Sequence, residues 1–227
     1  MAPSAIVTGS GSGLGLALTL ALAARGEHVV AVARDADRLR TVLGGTVGVT
    51  LHPGDVTDPG LGAELRERVG DRLDLLVHNA GELGPSPLPR LADYPAAALR
   101  AVLETTVVGP LQLTQALLPA VRRARGTVVG LSSDAAVEAY EGWGGYGLAK
   151  AAADHAAAVL GVEEPDLRVY AFDPGDMRTA MHQRAFPGED ISDRPEPATV
   201  VPALLRLLDS RPPSGRYTAA SLSAVAS

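Results

Sequence analysis

Residues 5–15 read Ala-Ile-Val-Thr-Gly-Ser-Gly-Ser-Gly-Leu-Gly, and this stretch decides the fold. Its apolar and β-branched start predicts a buried strand over Ala5–Thr8. A helix is predicted from about Leu14 to Arg25, where Gly26 ends it. A glycine-rich turn between a strand and a helix lets the backbone approach a pyrophosphate, which rests on the positive end of the helix. The stretch therefore predicts the opening of a nucleotide-binding α/β domain.

Beyond this opening, short β-branched runs alternate with longer segments rich in alanine and leucine. Further strands are predicted at His28–Ala33, Thr46–Leu51, Leu73–His78, Thr127–Leu131 and Val169–Phe172. Helices are predicted after Asp35 and at Pro59–Val69, Ala96–Arg123, Tyr146–Leu160 and Ala198–Leu208. Apolar strands separated by helices indicate a parallel sheet covered on both faces. We predict one doubly wound, Rossmann-like α/β domain over residues 1–227, with a substrate flap at about residues 177–197.

Composition limits the kind of protein. The chain has 227 residues, of which 46% are hydrophobic, so it can bury a sizeable core. Its net charge of −6 argues against nucleic acid or an anionic membrane as partner. The absence of cysteine excludes disulfides and thiolate catalysis. No metal site is expected, because histidines and carboxylates lack ligand spacing. The start, Met1-Ala2-Pro3-Ser4, lacks the basic segment of a signal peptide, so we expect a cytoplasmic protein.

One lysine stands apart from the other basic residues. Of the 20 lysines and arginines, only Lys150 is a lysine, and it follows Tyr146 by four residues. That spacing on a helix places both side chains on one face. A compact ammonium beside a phenol favours the phenolate, and would lower the tyrosine pKa from its usual value near ~10. An ordinary pair of helical neighbours is the alternative interpretation of these two residues alone.

Several ordered motifs resemble the short-chain dehydrogenase/reductase family, in its short one-domain branch. The glycine spacing of residues 8–15 (Thr-Gly-x-x-x-Gly-x-Gly) and the Tyr-x-x-x-Lys of residues 146–150 carry the resemblance. His78-Asn79-Ala80-Gly81 matches an Asn-Asn-Ala-Gly element of the family, with histidine in the first position. Residues 174–179 (Pro-Gly-Asp-Met-Arg-Thr) match the segment after the sixth strand. The similarity covers essentially the whole chain.

The resemblance implies a site for a nicotinamide dinucleotide. The loop residues implied to hold it are Gly9, Ser12, Gly13, Leu14 and Gly15. The other implied contacts are Asp55, Val56, Asn79, Ala80, Gly81, Lys150, Pro174, Gly175 and Thr179. By this resemblance Asp55 binds the adenine amine and Thr179 the nicotinamide carboxamide. The alternative for Asp55 is a turn former after Pro53-Gly54, and His78 is interpreted as a structural residue at a strand end.

The end of the second predicted strand favours NADP(H) over NAD(H). NAD-selective relatives place an acidic residue there, whereas this chain has Ala33 followed by Arg34. A small neutral residue leaves space for a 2′-phosphate, and a guanidinium fits its oxygens. Arg38, one helical turn later, offers a second contact. The alternative for Arg34 is a solvated loop cation.

The resemblance also implies a catalytic set of Ser133, Tyr146 and Lys150. Ser133 precedes Tyr146 by 13 residues, a spacing that favours it over Ser132. Tyr146 is implied to donate a proton to a carbonyl oxygen and Ser133 to steady the developing oxyanion, while Lys150 holds the nicotinamide ribose. Tyr146 is expected in the first turn of its helix, where the positive dipole end also favours phenolate.

Thr106 is a departure from the family pattern. Many relatives have an asparagine there that helps hold a water linking the lysine to solvent. A threonine hydroxyl has a shorter reach and one polar group, so Thr106 is a candidate catalytic residue with slower turnover or a shifted pH optimum expected.

These residues predict an NADPH-linked carbonyl reductase that can run in reverse as an alcohol dehydrogenase on a small-molecule substrate. The alternative is a relative that binds NADP(H) as a sensor or scaffold, which the departures at Thr106 and His78 favour. Trp143 and His182 are candidate lining residues of the substrate pocket, with simple packing as the alternative. Small residues over Ala151–Ala158 allow close helix packing, so a homodimer or homotetramer is expected.

Overall fold

A seven-stranded parallel sheet forms the centre of the computed structural model, which describes residues 4–223. The strands are β1 (Ser4–Thr8), β2 (His28–Ala33), β3 (Val49–Pro53), β4 (Leu75–His78), β5 (Thr127–Leu131), β6 (Arg168–Asp173) and β7 (Gly215–Thr218). They lie in the order β3-β2-β1-β4-β5-β6-β7, and each neighbouring pair is parallel. The chain adds β2 and β3 on one side of β1 and then crosses back to add β4 on its other side. A crevice therefore opens outside the carboxyl ends of β1 and β4.

Helices cover both faces of the sheet. They are α1 (Gly13–Ala24), α2 (Ala36–Leu43), α3 (Leu61–Val69), α4 (Ala96–Leu103), α5 (Gly109–Ala124), α6 (Gly144–Glu163), α7 (Ala180–Ala185), α8 (Val201–Ser210) and α9 (Ala219–Ser223). On one face Leu18 of α1 and Leu204 of α8 pack in a cluster with Val7. On the other face Leu117 of α5 packs in a cluster with Ile6, because alternate strand residues point to opposite sides. The predicted doubly wound α/β fold is confirmed.

The third strand begins later than predicted. The sequence placed it at Thr46–Leu51, whereas β3 spans Val49–Pro53. Gly45 and Gly48 have φ values of +81° and +82°, a left-handed conformation that keeps the chain in a turn until Val49.

The predicted helix over Ala96–Arg123 is interrupted. Glu104–Val108 forms a wide π-helical turn between α4 and α5. Pro110 has no amide proton to donate to the carbonyl four residues earlier, which favours the wider turn. Gly109 lies where a Cβ would be 2.3 Å from the carbonyl oxygen of Val56, so glycine also lets this turn approach the loop after β3.

The flap predicted at residues 177–197 is more ordered than a loop, since it contains α7 and the start of a 3₁₀ turn at Pro197–Thr199. The Arg184 guanidinium pairs with Glu82 at 3.2 Å and donates to the carbonyl oxygen of Gly84 at 2.8 Å. These contacts fasten the flap to the loop after β4. Within residues 4–223, no helix combines the length and apolar character that a membrane span requires.

His78, at the end of β4, is the structural residue that the sequence predicted. Its Nε2 lies 2.8 Å from the Thr114 hydroxyl, and its Nδ1 is buried without a partner among the described residues. Burial lowers the pKa of His78 from 6.5 to about 4. The unfolded chain therefore binds a proton between these pH values that the folded protein does not, and stability falls as the pH falls through this window.

We predict that His78→Asn removes much of this acid sensitivity. Between pH 7 and pH 4.5 the free energy of unfolding should decrease by about 2–3 kcal/mol more in the wild-type protein than in the variant. Urea unfolding at the two pH values measures the difference. His155→Asn, at an exposed position of α6, is the control and should behave as wild type. Equal pH dependence of His78→Asn and wild type would contradict the assignment.

Candidate active site

A cavity of about 360 Å³ lies along the carboxyl ends of β1, β2 and β4. It collects most of the residues that the sequence assigned to the cofactor. Those that line it are Gly9, Ser12, Gly13, Leu14, Arg34, Arg38, Asp55, Val56, Asn79, Ala80, Gly81, Lys150, Pro174 and Thr179. Gly15 is not among the lining residues, and Gly175 lines the adjoining cavity instead. Lining residues that the prediction missed include Gly54, Thr105 and Met181, which carry no recognisable motif.

Asn79 supports the glycine loop through hydrogen bonds. Its Nδ2 donates to the carbonyl oxygens of Thr8 at 2.9 Å and Gly9 at 3.3 Å. The backbone amides of Asn79 and Ala80 both donate to the Thr8 hydroxyl at 3.0 Å. Gly9 itself has φ +71°. These bonds join the ends of β1 and β4 and hold the loop open toward the cavity.

Gly15 supports the loop by its lack of a side chain. A Cβ at this position would lie 2.4 Å from Asn79 Nδ2 and 2.5 Å from the Gly9 carbonyl oxygen. Gly15 therefore has a packing role, and its predicted cofactor contact stays a prediction. The cradle formed by the loop and the start of α1, whose first turn has no acidic side chain, fits a pyrophosphate group.

The far end of the cavity carries two arginines, Arg34 and Arg38, and one exposed carboxylate, Asp35. Ala33 closes β2, and the exposed Arg34 and Arg38 lie beside it. Arg38 Nε donates to the Gly11 carbonyl oxygen at 2.6 Å. The carboxylate of Asp35 caps α2 by accepting the Arg38 amide proton at 2.9 Å. This end therefore fits an additional phosphate on the ribose.

Asp55 is the turn former of the alternative interpretation, and its binding of the adenine amine stays a prediction. Its Oδ1 accepts hydrogen bonds from the Thr57 amide at 2.9 Å and the Thr57 hydroxyl at 2.8 Å, which makes it a turn former. It also lines the cavity next to Val56. The turn fixes the carboxylate at the edge of the cavity.

A second cavity of about 300 Å³ adjoins the first. The residues that line both are Ser132, Tyr146, Pro174, Met177, Thr179 and Met181. The second cavity has an aromatic wall, in which the Trp143 ring lies 5.6 Å from Tyr146 and 6.0 Å from Phe186. The ring centres of His182 and Phe186 lie 4.9 Å apart with the ring planes tilted by 38°. Both Trp143 and His182 line the cavity. Tyr146 thus lies at the junction of the two cavities.

Tyr146 and Lys150 face each other in the first two turns of α6. The helix begins at Gly144, which confirms the predicted position of Tyr146 in the first turn. Lys150 Nζ lies 5.5 Å from the centre of the Tyr146 ring and donates to the carbonyl oxygen of Leu131. The ammonium is therefore held on the tyrosine face of α6.

The expected lowering of the Tyr146 pKa by Lys150 is wrong for the polypeptide by itself. Burial of the phenol raises the pKa of Tyr146, the Ser133 hydroxyl lowers it by hydrogen bonding, and the Asp134 carboxylate raises it further. Burial also lowers the pKa of Lys150 to about 8, against the opposing carboxylates of Asp154 and Asp173. Spacing on a helix predicts that the two groups are close, but desolvation is the largest effect on the pKa of each.

The two adjacent serines have different partners. Ser133 donates to Asp134 Oδ1 at 2.9 Å and accepts the Ala135 amide proton at 3.3 Å. Ser132 donates to Asp154 Oδ2 at 2.6 Å. Of the two serine hydroxyls, that of Ser133 is the one that lowers the pKa of Tyr146.

Thr106 lies in the π-helical turn and not in the cavity wall. Its hydroxyl is buried and has no hydrogen-bond partner within residues 4–223. Its neighbour Thr105 lines the first cavity. The catalytic role of Thr106 stays a prediction. In the same described part of the chain, no group of three or more histidine or carboxylate side chains could hold a metal ion.

We predict that Gly15→Ala lowers the unfolding free energy by at least about 1 kcal/mol, because the new Cβ overlaps backbone that cannot move freely. Gly11→Ala is the matched control, since its Cβ would meet only the Ala33 methyl at 3.5 Å and the stem of Arg38. It should stay within about 0.5 kcal/mol of wild type. Urea unfolding measures both, and equal stabilities would contradict the packing role of Gly15.

Comparison with known proteins agrees with the motifs. The family model described as short chain dehydrogenase matches residues 3–190. The uncharacterized oxidoreductase YciK of Escherichia coli K12 is 36% identical over 148 residues, which are 63% of this chain and 58% of that protein. The uncharacterized oxidoreductase Rv0484c of Mycobacterium tuberculosis H37Rv is 39% identical over 147 residues, 64% of this chain and 57% of that protein. The chain therefore matches less than two thirds of the length of these relatives.

Solved structures extend the similarity over nearly the whole chain. A short chain dehydrogenase of Salmonella enterica serovar Typhi superposes with a TM-score of 0.90 at 29% identity, covering 96% of both chains. A short chain dehydrogenase of E. coli CFT073, solved in complex with NADPH, gives a TM-score of 0.86 at 30% identity, again over 96% of both chains. Since the family model spans well over half of the sequence, this protein belongs to the short-chain dehydrogenase family of oxidoreductases.

Proposed function

We propose that the protein transfers hydride between NADP(H) and a carbonyl or alcohol substrate, with Ser133, Tyr146 and Lys150 as its catalytic residues. The observation that carries the proposal is the position of Tyr146 at the junction of the two cavities. When bound, a nicotinamide supplies or accepts the hydride. The glycine loop and the strand ends bind the dinucleotide in one cavity, and the aromatic wall binds the substrate in the other.

The ionisation of the three side chains suits reduction near neutral pH. Because burial raises the pKa of Tyr146, its phenol stays protonated and can donate to a carbonyl oxygen. The Ser133 hydroxyl donates to Asp134, and turning its proton to the substrate would steady the oxygen that gains charge. Lys150, with a pKa of about 8, is mostly an ammonium at pH 7 and stabilises the phenolate that remains after proton transfer.

The choice of NADP(H) rests on the end of β2. Ala33 leaves space beside the ribose, and the guanidinium groups of Arg34 and Arg38 border that space. Phosphate oxygens are bound well by such planar donors. The E. coli CFT073 neighbour, solved with NADPH, gives independent support for this cofactor.

A homodimer or homotetramer remains our proposal for the assembly. Apolar side chains are exposed on the helices α5 and α6, namely Leu111 at 49%, Leu148 at 50%, Val159 at 41% and Val162 at 82%. Burying such residues between copies is favourable.

Tyr146→Phe tests the catalytic assignment. In a screen of ketones, aldehydes and alcohols followed by NADPH absorbance, the variant should lose at least about 100-fold in kcat, because it lacks the transferable proton. NADPH binding, measured by fluorescence, should persist. Tyr140→Phe is the matched control, since Tyr140 lines the same cavity but its hydroxyl donates to Glu138 at 2.7 Å, with Asp134 at 3.1 Å as the other acceptor in reach. Nucleotide binding without turnover by wild type on any substrate would favour a sensor or scaffold.

Ala33→Asp tests the cofactor assignment. A carboxylate at this position would repel a 2′-phosphate and accept bonds from a free ribose, so the ratio of NADPH to NADH affinity should fall at least about 10-fold. Dissociation constants from fluorescence titration need no known substrate. Ala33→Ser, which adds a polar group without charge, should change the ratio much less. An unchanged ratio in Ala33→Asp would overturn the assignment.

A further inference from the structure

Three consecutive residues at the end of β5 are each held by a different side chain. Lys150 Nζ donates to the carbonyl oxygen of Leu131. Ser132 donates its hydroxyl proton to Asp154 at 2.6 Å. Arg216 donates to the carbonyl oxygen of Ser133 at 3.0 Å. The segment that presents the Ser133 hydroxyl to Tyr146 is thus fixed at every residue.

Asp154 links two of these three contacts. It lies one helical turn after Lys150 on α6, on the face that also carries Tyr146. The Arg216 Nε on β7 donates to Asp154 at 3.2 Å, and another nitrogen of the same guanidinium donates to Asp173 at 2.7 Å. The last strand of the sheet therefore reaches back to the active site through one arginine.

The charges of this network are largely shielded from water. The Asp154 side chain is 16% exposed, Asp173 is 9% exposed and Arg216 is 28% exposed. Charges so placed persist when they are paired and hydrogen-bonded, and removal of one leaves the others unbalanced. Asp154 is therefore more than a solvated carboxylate on a helix surface.

We propose that Asp154 is a positioning residue of the active site. It holds Ser132 so that Ser133 faces Tyr146, and it places a negative charge one helical turn from Lys150 on the same face of α6. Arg216 anchors Asp154 from β7. The inference rests on the proposed function, because it concerns the same three catalytic residues.

The groups that face Asp154 predict the sign of its electrostatic effect. They are the Lys150 ammonium on α6, the Ser132 hydroxyl after β5 and the Arg216 guanidinium on β7, while the Asp173 carboxylate on β6 shares that guanidinium with Asp154. The Asp154 charge raises the pKa of Lys150 against burial, and it also raises the pKa of Tyr146. Neutralising Asp154 should therefore lower both pKa values, with Asp173 retaining part of the effect.

The single lysine allows a direct measurement. Protein labelled with [ε-¹³C]lysine and free of a lysine-containing tag gives one side-chain NMR signal, which reports the Lys150 pKa with no substrate present. Asp154→Asn should move that pKa at least about 0.5 units below the wild-type value, and Asp154→Glu should restore it. Glu163→Gln, at an exposed position of the same helix, is the matched control and should leave it unchanged. An unaltered Lys150 pKa in Asp154→Asn would overturn the electrostatic part of the proposal.

Ser132→Ala tests the positioning part, because it removes the hydrogen bond to Asp154 but leaves every charge in place. We expect the Lys150 pKa to stay at the wild-type value while kcat falls at least about 10-fold. Unchanged kcat would refute positioning through Ser132, even if Asp154→Asn does not fold. Absence of turnover in the wild type would instead contradict the proposed function, and the NMR titration would still decide the charge effect of Asp154.

Discussion

The common direction of the seven strands is the constraint on which the site depends. Because all of them are parallel, their carboxyl ends lie at one edge of the sheet, and each loop that follows a strand reaches that edge. Thr8 ends β1, Asn79 follows β4, and the bonds between these two residues set the width of the crevice. Ser133 after β5 and Pro174 after β6 extend the same edge toward α6. Residues far apart in the chain therefore share one site.

At that edge of the sheet, desolvation has the largest effect on the pKa values of the reactive groups Tyr146 and Lys150. Lys150 is 6% exposed and donates to a backbone carbonyl. This hydrogen bond and the nearby carboxylates stabilise its charged form against burial. The side chain of Tyr146 is half-buried between the two cavities, and desolvation keeps its phenol neutral. A neutral phenol beside an ammonium suits the proposed donation of a proton to a substrate oxygen. A positive nicotinamide ring would add the charge needed for the reverse step.

The sequence predicted the fold and most of the site because the signals were local. The glycines of residues 9–15, the apolar strands and the Tyr146–Lys150 spacing each act over a few residues. The features that the sequence did not predict have non-local causes. β7 is short and only partly buried, so no apolar run marked it. The role of Gly15 depends on Asn79, which lies far along the chain, and the link from Arg216 to Asp154 joins β7 to α6. The pKa of Tyr146 depends on burial by several elements, which spacing on one helix does not reveal.

Titration of Tyr146 by NMR in protein labelled with [ζ-¹³C]tyrosine is the most direct measurement of this electrostatic balance, with the signal assigned by its loss in Tyr146→Phe. For the protein without nucleotide we predict a pKa above the ordinary ~10, and a lower value once NADP⁺ is bound. A pKa below ~10 in the nucleotide-free protein would contradict the claim that burial, and not Lys150, controls the phenol.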